Sequence, residues 1–148
     1  ARQLIHQNAM DECTALLAAA LERQWDERLV LLYSEARDSQ PAAQLETAEE
    51  WLARHGESPA LLLTLGRLAR RNRLAERARV YLEKSIGLGA TAEAHAELGM
   101  LFEEAGDSAR ALTHCRQALE LCRHLHRPGL SHQGRSTRDE GGASDYGY

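Results

Sequence analysis

Aromatic residues make up only 5% of the 148-residue chain, with Phe102 the single phenylalanine and Trp25 and Trp51 the two tryptophans. A core built from this sequence is therefore mostly aliphatic. β-Branched residues are sparse beside Leu and Ala, which argues against a sheet-rich fold and for helix. Lysine is almost absent: Lys84 stands alone, and the 18 basic residues face 22 acidic ones for a net charge of −4. A chain without a basic excess is not a general nucleic-acid binder. Cysteine is limited to Cys13, Cys115 and Cys122, with no CxxC spacing, which argues against a disulfide scaffold. Cys115 and Cys122 fall on one expected helix about 10 Å apart along its axis, too far for a disulfide. No run approaches the ~18 apolar residues needed to span a bilayer.

What is present is a repeat. Leu65-Gly66 and Leu98-Gly99 are landmarks of two similar segments, Leu62–Ala69 and His95–Phe102, and they share one offset with a second pair, Ala78–Ser85 and Ala111–Ala118. Each unit reads as two helices, with apolar residues at helical spacing in the first. Ser58-Pro59 is an N-cap followed by Pro at the first helical position. Gly106-Asp107 stops one helix and caps the next. A weaker, earlier copy runs through Leu29, Leu32, Tyr33 and Ala36, then Ala48, Trp51 and Leu52. The stretch Leu16–Leu21 reads as a lone helix before it. The expected architecture is all-α, with about seven antiparallel helices over 8–23, 26–37, 42–55, 59–71, 75–87, 91–105 and 108–125. One helical domain would cover 1–126. Residues 127–148 hold five of the eleven glycines and almost nothing apolar, the composition of a flexible tail.

The pattern Leu-x-x-Leu-Gly-x-x-Ala/Phe, followed by Ala-x-x-x-Leu/Cys-x-x-Ser/Ala, resembles the tetratricopeptide repeat (TPR). Arg73 departs from it by standing where the other clear copy has Gly106. The resemblance implies a right-handed helical solenoid with a concave groove that receives a peptide or a partner helix. The groove positions of that family fall here on Glu27, Val30, Ser34, Arg37 and Asp38, then Ala60, Leu63, Arg67, Arg70 and Arg71, then Glu93, Ala96, Met100, Glu103 and Glu104. The middle set carries an arginine cluster, the third an acidic patch. Arg forks match carboxylates and phosphates, so Arg67, Arg70 and Arg71 are expected to grip an anionic group of a partner. The competing reading pairs them with Glu103 and Glu104 or leaves them solvated.

The segments Trp25–Tyr33, Ala48–His55 and Leu61–Leu68 are similar to the C-terminal TPR region of HemY-type proteins. That resemblance implies a bacterial inner-membrane parent, anchored by a segment outside this chain and linked to haem and porphyrin metabolism. The region here would be its soluble interaction scaffold, with a protein or peptide partner. Unpaired cysteines favour the reducing, cytoplasmic face.

Chemistry-bearing signatures are few. Gly87-x-Gly89-x-x-Ala92 follows a helix rather than a strand, so it reads as a helix stop and not a dinucleotide loop. Cys122, His124 and His126 lie together in sequence, but a structural zinc site needs four closed ligands, and no metal or cofactor is expected. His55, His95 and His114 fall at positions that pack between helices or lie on the surface. Trp25 and Trp51 read as packing residues, and Met100 as either core or an adaptable contact. No GxSxG, P-loop or HExxH occurs, and Glu49–Glu50 and Glu103–Glu104 sit on helix surfaces, so no catalytic residues are expected. Two further functions stay open. Haem or porphyrin propionates would suit Arg67 and Arg70. Self-association would cover an exposed first helix at Leu16, Leu17 and Leu21.

Overall fold

The structure, a computed structural model, describes residues 2–125. The tail expected at 127–148, and with it His126, lies outside the described residues. Within them the fold is all-α: α1 (Arg2–Arg23), α2 (Glu27–Glu35), α3 (Pro41–His55), α4 (Pro59–Arg71), α5 (Ala75–Leu88), α6 (Ala92–Glu104) and α7 (Ser108–Leu125). The bounds of α4 recur 33 residues later in α6 (Pro59 to Ala92, Arg71 to Glu104), and the start of α5 recurs at the start of α7.

Local chemistry explains most boundaries. Ser58 Oγ accepts from Leu61 N at 3.2 Å, and Thr91 Oγ1 from Ala94 N at 3.1 Å, so α4 and α6 start on hydroxyl caps. Asp26 and Asp107 cap α2 and α7 through Arg28 N and Arg110 N. Two helices depart from the expected spans. α1 begins at Arg2 rather than near residue 8; no Gly or Pro interrupts it, and Gln7 Nε2 ties its first half to Asp11 and to Arg37 O, both at 3.0 Å. α2 ends at Glu35 rather than 37, because Ala36 turns to extended backbone (φ −76°, ψ 132°) and its carbonyl accepts from Gln44 Nε2 at 2.9 Å. The loop that follows is pinned to α1: Ser39 N and Oγ both donate to the Asp11 carboxylate at 2.8 Å, and Thr14 Oγ1 donates to Asp38.

The Leu-Gly landmark has a packing cause. A Cβ on Gly66 would lie 2.5 Å from Leu82 Cγ, and one on Gly99 would lie 3.0 Å from Cys115 Sγ. Gly therefore lets α5 approach α4, and α7 approach α6, at the same place in each pair. Gly106 (φ 84°) and Arg73 (φ 62°) occupy the matching turns. The left-handed region costs a non-glycine residue about 1–2 kcal/mol, a strain that Arg73 carries and Gly106 does not.

Packing then forms a layer. α2 packs on α4 and α4 on α6, while α3 and α5 pack on α4, α5 also on α6, α7 on α6 and α1 on α2. The core has two parts. One gathers Leu21, Val30, Tyr33, Leu45, Ala48, Trp51, Leu61, Leu62, Leu65 and Leu68; the other gathers Leu63, Ala69, Ala78, Leu82, Ala94, Leu98, Leu101, Phe102 and Ala111. α4 contributes to both and is buried on every side, from Leu61 through Gly66 and again at Leu68 and Ala69.

Candidate functional site

The α2–α4–α6 layer is joined by polar contacts at the C-terminal half of α4. Thr64 Oγ1 donates to Val30 O at 3.2 Å. One turn on, Arg67 Nη1 donates to Ser34 Oγ at 2.9 Å and Arg67 Nε to Glu97 Oε2 at 3.1 Å. Arg70 Nε reaches the other oxygen of Glu97 at 3.1 Å, and its Nη1 reaches Glu104 at 2.9 Å. Glu97 is 8% exposed, so this Arg–Glu–Arg triad is largely withdrawn from water. Two of the expected binding arginines are thus engaged within the protein, through a residue the sequence reading did not single out. The available signal was positional: Glu97 stands 33 residues after Thr64, and both side chains reach the preceding helix of the layer.

Arg71 is different. Its Nη1 lies 3.4 Å from Ala36 O, and among the described residues no carboxylate comes within ion-pair distance. Burial depresses its pKa to about 10, helped by repulsion from Arg37, Arg67 and Arg70 against partial relief from Glu97. At neutral pH it remains a half-buried cation without a counter-ion. It lies in the wall of a cavity of about 840 Å³ that Arg37, Arg70, Arg73, Gln7 and Gln44 also line, with Asp38 and Glu104 as the acids. Gln44 is buried at 3% exposure; its amide nitrogen donates to Tyr33 O and Ala36 O, while the equally buried Oε1 meets no donor among the described residues. The wall therefore offers surplus positive charge.

The other expected site residues scatter. Val30 (0% exposed) and Leu63 (5%) are core residues rather than groove contacts, because α4 packs closely on α2 and α6 and closes over those positions. Arg37 has left α2 for the loop that follows and reaches the arginine cavity from there. Met100 and Glu103 face a second cavity, between α6 and α7. Glu103 is exposed and forms no ion pair among the described residues. Met100 is 43% exposed.

No family model, curated protein or solved structure matches the chain. Among the described residues, no three His, Cys, Asp or Glu side chains come together to hold a metal ion, and no helix is long and apolar enough to cross a membrane. His55 stacks on Trp25 with ring centroids 3.8 Å apart.

His95 and His114 form a pair. Their Nδ1 atoms lie 3.0 Å apart, and His114 also stacks on Phe102, over which Arg110 sits. One Nδ1 must donate and the other accept, so a doubly charged pair loses the bond and adds repulsion. Burial lowers both pKa values from the ordinary 6.5; the His114 charge adds to the effect on His95, while Glu83 works against it at His114. The neutral pair thus contributes stability that is present above pH 6.5 and is lost as pH falls through the depressed folded values. Urea midpoints should drop over that window for the wild type, and the drop should shrink in His114→Gln.

Proposed function

We propose that this chain is a non-catalytic protein-interaction scaffold of the TPR-type helical-solenoid class, which docks an acidic segment of a protein partner at Arg71. One observation carries the reading: a half-buried guanidinium with no ion-pair partner among the described residues, in the wall of an open cavity that Arg37 and Arg73 also line. A buried cation left unpaired is costly, and an incoming carboxylate relieves that cost while forming charge-assisted hydrogen bonds. The 33-residue recurrence of α4–α5 in α6–α7 supports the TPR assignment. On the HemY-type resemblance, the setting we propose is the cytoplasmic face of a bacterial inner membrane, near enzymes of haem synthesis.

A short fluorescein-labelled oligoglutamate peptide tests the site by fluorescence polarisation. The wild type is expected to bind it, more weakly as salt rises, and Arg71→Ala is expected to weaken binding about tenfold, worth about 1.4 kcal/mol. Equal binding by wild type and an Arg37→Ala/Arg71→Ala chain would remove the cavity from consideration. A pull-down from bacterial membrane extract with the same two proteins then names the partner.

A further inference from the structure

The second cavity lies at the far side of the layer. It has a volume of about 550 Å³ and a mostly apolar floor: Gly99 lacks a side chain, Met100 and Leu112 (52% exposed) form walls, and Ala111, Cys115 and the hydroxyl-bearing Ser108 also line it. Its charged residues are Glu103 and Glu104, and among the described residues no basic one lines it. Both glutamates sit in the last turn of α6. The groove is apolar with an acidic rim.

The opposite end of the molecule carries the matching surface. The first turns of α1 stand away from the body: Arg2 through His6 are exposed, with Leu4 at 68% and Ile5 at 70%. The first turn has no acidic residue. Arg2 and His6 are the ionisable groups before Asp11, and the Asp11 carboxylate is already held by Gln7 and Ser39. This stretch of α1 is apolar and basic.

We propose that copies of this chain associate head to tail, with the first turns of α1 of one copy seated in the α6–α7 groove of the next. Leu4 and Ile5 fill the space above Gly99 between Met100 and Leu112, and Arg2 meets Glu103 at the rim. The sequence after α7 is a poor alternative occupant. Its large apolar residues are Leu130, Tyr146 and Tyr148, set among Pro128 and five glycines, which supply no helical stripe. The inference does not rest on the arginine cavity. Because the two surfaces differ, the contact is heterologous and extends into chains or rings instead of closing on a two-fold axis.

Sedimentation equilibrium on the full chain tests this. The wild-type average mass is expected to climb with concentration past that of a dimer. Ile5→Glu and Leu112→Glu, both at exposed positions, are each expected to remain monomeric with unchanged far-UV circular dichroism. Mixed in equal amounts, they should form a one-to-one dimer and stop there, since one retains the groove and the other the helix start. Three results overturn the proposal. One is a wild type that stays monomeric at every concentration, as when residues 126–148 or an unrelated protein fill the groove. Another is an Ile5→Glu chain that associates like the wild type, which marks a symmetric α7 contact. The last is a mixture that fails to restore any dimer.

Discussion

A Glu97→Ala chain is expected to lose about 3 kcal/mol of stability, read as a lower denaturant midpoint at unchanged slope. The loss exceeds the worth of any one hydrogen bond because the carboxylate serves two guanidinium groups at once. Side-chain exposures are 10% for Glu97, 14% for Arg67 and 19% for Arg70, so neither cation turns to water when its partner goes. Arg70 keeps Glu104, which is 57% exposed and screens it weakly; Arg67 keeps Ser34, a neutral acceptor. Glu97→Gln preserves the shape and should recover part of the loss. Replacing all three charges by apolar residues of similar size should cost little, since a buried ion cluster gains little over a well-packed apolar one. A triple variant as unstable as Glu97→Ala would show that the cluster itself, and not the stranded cations, supplies the stability. If the scaffold reading holds, that triple variant should still bind oligoglutamate, because Arg37 and Arg71 are untouched.

The second large effect belongs to Trp51. Truncation to Ala is expected to cost about 3–5 kcal/mol. The ring is 1% exposed and packs edge-on to Tyr33 (centroids 4.7 Å apart) and to Trp25 (5.8 Å). Its Nε1 donates to Glu22 at 3.3 Å, and Arg54 grips the same carboxylate at 2.6 and 2.9 Å. Tyr33 and Trp25 are themselves fixed in the packed core, so the hole left by the indole is not closed without repacking. Trp51→Phe should cost about 1–2 kcal/mol, since packing is mostly kept and one hydrogen bond is lost. It also leaves Trp25 as the sole tryptophan, so the tryptophan emission maximum should shift to the red as the buried contribution disappears. A loss under about 1 kcal/mol for Trp51→Ala would mean that α1 and α3 are not held to the body through this ring.

Helix boundaries were legible where a short-range chemical device set them. Ser58-Pro59 and Gly106-Asp107 act within one turn, and the structure places α4 and α7 accordingly. The Leu-Gly recurrence was legible because the close approach of paired helices demands a missing side chain twice, at Gly66 and Gly99. What escaped was set by distant partners. Ala36 leaves the helix because Gln44 takes its carbonyl, and nothing in the local sequence forbids two more helical residues there. Arg67, Arg70 and Arg71 look alike in sequence, yet Glu97, a turn back on α6, neutralises the first two and leaves the third. Val30 and Leu63 became core for a reason of the same kind: the spacing between layers, and not the repeat register, decides which positions stay open.

α4 belongs to both halves of the core and is buried all round. A molecule built as a row of helices would ordinarily melt piecemeal, each unit leaning only on its neighbour. Here neither half can open without stripping apolar side chains from the same helix, so the row is locked at its middle and frays from its ends. Amide hydrogens of α4 should exchange only through global unfolding, and those in the first turns of α1 should exchange soonest. Both surfaces assigned to self-association lie towards the frayed ends. A neighbour seated there would close them and carry the protection of the centre outward along the assembly.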